Sequence, residues 1–108
     1  MDLKQLTPNL FVAGQIMPDD VATLAAQGFD TLVCNRPDGE EPGQPAFADV
    51  AAAARAAGMT AHHMPFQGMP PAEYVAEFAR IAPDAGRILA YCRSGARSGI
   101  LADAAGVA

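Results

Sequence analysis

One segment of the 108-residue chain concentrates residue types that can do chemistry: Tyr91-Cys92-Arg93-Ser94-Gly95-Ala96-Arg97-Ser98. The apolar run Arg87 to Tyr91 precedes it and a run of Ala, Ile and Leu follows, so it reads as a tight loop between a strand and a helix N-terminus. Such a loop aims several backbone N–H groups at one point, and with the helix dipole they bind an oxyanion. The amides of Arg93, Ser94, Gly95, Ala96, Arg97 and Ser98 are the expected cradle, and Gly95 supplies the backbone freedom for the turn. Arg97 can close the site with a bidentate pair to two anion oxygens. The same field acts on Cys92. A thiol falls from about 8.5 to roughly 3.5–7.5 at a helix N-terminus beside arginine, which makes Cys92 a thiolate nucleophile aimed at whatever the cradle holds. The Ser98 hydroxyl is placed to donate to the sulfur and ease its departure in a second step. The spacing is not the GxxxxGK[ST] of a nucleotide phosphate loop.

The elements that position this loop follow from apolar patterning and its breakers. Asn9 to Ala13 reads as a first strand, and Pro18-Asp19-Asp20 opens a helix that Gly28 stops, its acidic pair suiting a helix N-terminus. Thr31 to Cys34 is a buried strand, Ala46 to Ala57 an Ala-rich helix, Thr60 to Phe66 a third strand, and Pro71 to Ala82 an amphipathic helix ended by Pro83. Arg87 to Tyr91 is the fourth strand. Alternating strands and helices predict an α/β fold over residues 1–108 as a single domain, a parallel four- to five-stranded sheet flanked by helices, with functional loops at the C-terminal strand ends. Those loops are Arg36 to Pro45, Gln67 to Pro70 and Arg93 to Ser98.

Composition removes several classes of function. Twelve carboxylates outnumber seven Lys and Arg, which argues against nucleic acid as a partner. Arg87, Arg93 and Arg97 nevertheless lie within eleven positions, so a small anion is the expected ligand. No apolar run approaches the roughly 18 residues of a membrane span, and the N-terminal segment lacks the features of a secretory signal, so the expectation is no membrane partner and a cytoplasmic location. Cys34 and Cys92 form neither a disulfide framework nor a paired-cysteine metal pattern, and His62 and His63 point to opposite faces of one strand. No metal or cofactor is called for. Arg36 follows a strand at the functional edge, where it can assist anion capture. Alanine accounts for 24 of the apolar residues, so the core is small and the site is expected to be shallow, with specificity that is modest or supplied by a partner.

Two cysteine enzyme groups share such a loop. The cysteine loop resembles that of protein tyrosine and dual-specificity phosphatases, which place five residues between Cys and Arg, and that of rhodanese sulfurtransferases, whose loop is shorter. Here four residues separate Cys92 from Arg97. The run Asn35-Arg36-Pro37-Asp38-Gly39-Glu40-Glu41-Pro42-Gly43-Gln44-Pro45, with LTPNLFVA, Met64-Pro65-Phe66 and YCRSGARS, resembles the bacterial phosphatase-like family found alone or fused to β-lactamase-like hydrolases. That resemblance implies a phosphotyrosine phosphatase-like fold and a cysteine-dependent hydrolase acting on a phosphate monoester through a phosphocysteine. It also implies a possible partner hydrolase of β-lactamase-like fold. Phosphatases of this kind carry a general acid Asp after the third strand, where this chain has Gln67-Gly68-Met69-Pro70; Asp38 is the expected substitute, with Glu40 and Glu41 behind it. In some redox-regulated phosphatases a second strand-end cysteine traps the nucleophile, and Cys34 occupies a comparable place. Two alternatives stay open: sulfur transfer through a Cys92 persulfide, and a non-catalytic anion-binding module.

Overall fold

The computed structural model describes residues 1–108. Its strands are β1 (Lys4–Gln5), β2 (Leu10–Ala13), β3 (Thr31–Cys34), β4 (Thr60–His63) and β5 (Ile88–Tyr91). Its helices are α1 (Val21–Ala26), α2 (Phe47–Ala56), α3 (Ala72–Ile81) and α4 (Ala96–Ala104). The sheet order is β1-β2-β5-β3-β4, parallel throughout except for β1, which pairs antiparallel with β2.

The predicted α/β architecture is observed, with four local differences, one being that α4 starts at Ala96, inside the stretch expected as a loop to Ser98, once Gly95 has made the turn. The two-residue edge strand β1 is too short and too polar to show periodicity, and exists because Lys4 and Gln5 pair with Val12 and Phe11. The helix expected from Pro18 begins as a 3-10 turn over Pro18–Asp20, with the Asp20 carboxylate accepting the Met17 N–H at 2.8 Å, and only then becomes α1. The ladder of β4 stops at His63, although the N–H groups of Met64 and Phe66 still donate to the carbonyls of Cys34 and Asn35. Those last bonds tie the loop after β4 to the end of β3.

The alternation of side chains sorts the core onto the two faces of the sheet. Leu32, Cys34, Leu89 and Tyr91 face α1 and α2 with Val21, Leu24, Val50 and Ala54. Leu10, Val12, Val33, Ile88 and Ala90 face the other side with Phe78, Leu101 and Ala102. Each such buried Leu, Val or Ile contributes about 1.5–3 kcal/mol relative to exposure. β5 is buried on both faces and lies between β2 and β3, so its C-terminal end opens at the place where the chain order reverses, the usual position of a ligand crevice in open parallel sheets. Cys92 is the next residue.

Candidate active site

Cys92 leaves β5 almost fully buried, its N–H donating to the Ala13 carbonyl at 3.3 Å. The chain then turns through Gly95, whose φ of +96° is left-handed, and enters α4 at Ala96. The turn aims backbone N–H groups at sulfur: the Gly95 N–H reaches the Cys92 Sγ at 3.0 Å. Burial by itself raises the thiol, but the N–H groups of Ser98, Ser94, Gly95 and Arg97 together outweigh it and hold Cys92 below the ordinary thiol value. Within the same turn the Ala96 N–H bonds to the Ser94 hydroxyl at 3.3 Å.

The Ser98 hydroxyl does not serve the sulfur. It is buried and donates to the Asn35 Oδ1 at 2.9 Å, while the Asn35 Nδ2 donates to the Met64 carbonyl at 3.1 Å. Asn35, fully buried, thus ties the first turn of α4 to the ends of β3 and β4. Sequence reading passed over it, although a polar residue directly after the buried strand β3 was a usable signal.

Arg97 is held as a fork. Its Nη1 and Nη2 donate to the two carboxylate oxygens of Glu40 at 2.8 and 2.7 Å, and Nη1 donates also to the Phe66 carbonyl at 3.0 Å. Among the guanidinium donors this leaves Nε–H and the second Nη2–H, the adjacent pair that can grip two oxygens of one anion. That side chain also interacts with Cys92. Glu40 accepts further from Arg36 Nε at 2.8 Å and Gln67 Nε2 at 2.9 Å, so both of its oxygens are fully engaged. Above all the Arg97 guanidinium, helped by Gln67 and Arg36, lowers the Glu40 carboxyl to about 2 against the cost of burial.

Arg36 is the largest fully buried side chain; it is ion-paired with Glu40 and Glu41, both at 2.8 Å, and donates to the Gln15 Oε1 at 3.1 Å. It was expected to assist anion capture, but these partners engage all three of its guanidinium nitrogens. Asp38 is not beside the anion cradle: its Oδ1 accepts the Phe47 N–H at 2.9 Å at the start of α2, and it does not line the cavity that Arg97 opens into. The carboxylate that reaches the site is Glu40, because Gly39 and Gly43 take left-handed φ values of +76° and +81° and Gln44 bonds to Glu40 N–H and the Pro37 carbonyl, folding the loop back over the cysteine loop. Arg87 also departs from the expected cluster. It stands before β5, at the opposite end of the strand from Cys92, over the rings of Phe11 and Phe29 at 5.3 and 5.5 Å.

Cys34 and Cys92 are both free thiols. Cys34 is buried, donates to the Arg36 carbonyl at 3.4 Å, and has its thiol pushed up by burial, the opposite of Cys92. The Tyr91 hydroxyl beside it is a buried polar atom with no partner in hydrogen-bonding geometry. His63 stacks on Phe47 at 4.4 Å, a packing role. Around Arg97 lies a polar cavity of about 360 Å³ lined by Arg36, Glu40, Glu41, Gln67, Arg93 and Arg97; Cys92, buried, is not among its lining residues.

Residues 2–106 match the family described as "Beta-lactamase hydrolase-like protein, phosphatase-like domain". The chain is 38% identical over 100 residues to a Beta-lactamase hydrolase-like protein of Agrobacterium fabrum, covering 91% of this chain and 23% of that one. It thus spans about a quarter of the length of the curated relatives it matches. A Neisseria meningitidis protein described as a candidate phosphatase has 35% identity and a TM-score of 0.77, over 90% of this chain and 70% of that one. The core catalytic domain of the PP-IP phosphatase SIW14 from S. cerevisiae shares the fold at 15% identity, with a TM-score of 0.70 over 92% of this chain and 60% of that one.

Proposed function

The chain belongs to the phosphatase-like domain family of beta-lactamase hydrolase-like proteins, and its fold is that of the protein tyrosine and dual-specificity phosphatases; on that footing we propose that it is a phosphatase acting through Cys92. In this reading the Cys92 thiolate attacks phosphorus, the amides of Ser94, Gly95, Arg97 and Ser98 and the free edge of Arg97 hold the phosphoryl oxygens, and water then cleaves the phosphocysteine. The observation that supports it most directly is the pairing of a buried thiol, held below its ordinary value by backbone N–H groups, with an arginine whose other edge is fixed by Glu40 and Phe66.

No carboxyl in the cavity is ready to protonate a leaving group, since Glu40 is ionised and saturated and Glu41 pairs with Arg36. Substrates with good leaving groups are expected to react and alkyl phosphates to be slow. The missing acid and the four-residue interval between Cys92 and Arg97 favour one second reading, sulfur transfer through a Cys92 persulfide. Phenyl phosphate hydrolysis and thiosulfate-to-cyanide sulfur transfer, measured on one preparation with Cys92→Ala as control, separate the two. Phosphate release lost in Cys92→Ala is the expected result; Cys92-dependent sulfur transfer without phosphate release would overturn the phosphatase. Absence of both would leave an anion-binding module. The names of the relatives support a place beside a hydrolase of β-lactamase-like fold, and two free thiols suit the reducing cytoplasm.

A further inference from the structure

We infer that the substrate is a phosphoanhydride, a diphosphate-bearing polar molecule whose terminal phosphoryl group sits on Cys92 and Arg97 and whose second phosphoryl group is held by the Arg93 side chain. This rests on the phosphatase reading and adds the substrate class to it. Three features of the cavity point the same way. First, every side chain that lines it is charged or an amide, and no aromatic or aliphatic wall is available for the ring of an aryl phosphate. Second, the groups that can still bind a ligand are all polar. Arg93 is 69% exposed and its ion pair with Glu41 Oε2, at 3.9 Å, is too long for a hydrogen bond, so its N–H groups are still open to an anion. Arg97 keeps its Nε–H and Nη2–H edge, and both arginines face one cavity of about 360 Å³. Third, no acid reaches the leaving group. Both oxygens of Glu40 accept from Arg97, one also from Arg36 and the other from Gln67, and Asp38 is engaged at α2.

A phosphoanhydride suits all three. Cys92 sulfur forms a bond to the terminal phosphorus, the P–O bond to the bridging oxygen breaks, and its electron pair leaves with that oxygen on the remaining phosphate. Such a leaving group has a second pKa of about 6 and departs unprotonated at neutral pH. Water then forms the new P–O bond, loses a proton to solvent, and the S–P electron pair returns to Cys92 as thiolate. An alkoxide could not leave in this way without an acid.

The test compares kcat/KM for inorganic pyrophosphate, phenyl phosphate and glycerol 3-phosphate by phosphate release, using the full chain as wild type, Cys92→Ala, Arg93→Ala and Arg93→Lys. Pyrophosphate is expected to exceed phenyl phosphate and to exceed glycerol 3-phosphate by about a hundredfold, all Cys92-dependent. Arg93→Ala is expected to lower the pyrophosphate value at least about tenfold more than the phenyl phosphate value, with partial rescue by Arg93→Lys. Phenyl phosphate preferred over pyrophosphate, or an equal loss on both in Arg93→Ala, would overturn the inference and leave the phosphatase standing. If Cys92 supports hydrolysis of none of the three, the phosphatase reading falls and this inference with it.

Discussion

Glu40 fixes the orientation of the Arg97 guanidinium. A free arginine at a helix start would wander among rotamers, whereas here two charge-assisted bonds and the Phe66 carbonyl fix one edge and turn the other toward Cys92. Glu40 is therefore a positioning residue. Glu40→Gln keeps the shape but gives one oxygen to two guanidiniums, and it is expected to lower kcat on phenyl phosphate by about a hundredfold with a smaller change in KM. The pH dependence of Cys92 alkylation should stay as in wild type, because backbone amides stabilise that thiolate. A shifted alkylation profile would mean instead that the loop had collapsed.

The elements work by close approach. Gly14 follows β2, and a Cβ there would stand 2.9 Å from the carbonyl oxygen of Arg93, a backbone atom that cannot swing away. Cys92 N–H to Ala13 carbonyl and Gln15 N–H to Arg93 carbonyl are the bonds that this contact closes around. Gly14→Ala is expected to destabilise by about 1–3 kcal/mol, seen as a lower Tm, and to reduce activity more than stability alone explains. Gly99 offers the contrast within α4, since an added Cβ meets nothing within 4 Å. Gly99→Ala should stabilise by about 0.5–1 kcal/mol in urea unfolding. The boundaries of β3 and β5 were legible to within a residue because buried strands write themselves locally, whereas α4 starts at Ala96, inside the stretch expected as a loop to Ser98. β1 was not legible, because its pairing with β2 owes nothing to its own two residues.

At the scale of the molecule, a chain of net charge −5 concentrates arginines at one sheet edge and balances them there with carboxylates. The balance makes stability depend on acid in a defined direction. The Glu40 carboxyl drops from 4.5 to about 2 on folding, so its contribution is present above pH 4.5 and is lost as the pH falls toward 2. The stability gap between wild type and Glu40→Gln, read from urea unfolding, should be widest near neutral pH and should close over that acid window. A gap that stays constant through it would show that Glu40 carries no such linkage.

The α/β order, the cysteine loop near a helix start, and the grouping of Cys92, Arg93, Arg97 and Arg36 at one edge can all be read along the chain. Strand periodicity, a glycine turn and a helix dipole are local properties, so a linear reading reaches them. Only the tertiary structure decided which carboxylate enters the site. Asp38 and Glu40 are two residues apart in one acidic loop, and their roles are set by left-handed turns at Gly39 and Gly43 and by where that loop lands. It turns Asp38 to α2 and Glu40 to Arg97, and directs the Ser98 hydroxyl to Asn35. Such partners are fixed by distances between segments far apart in the chain, which no spacing along the sequence encodes.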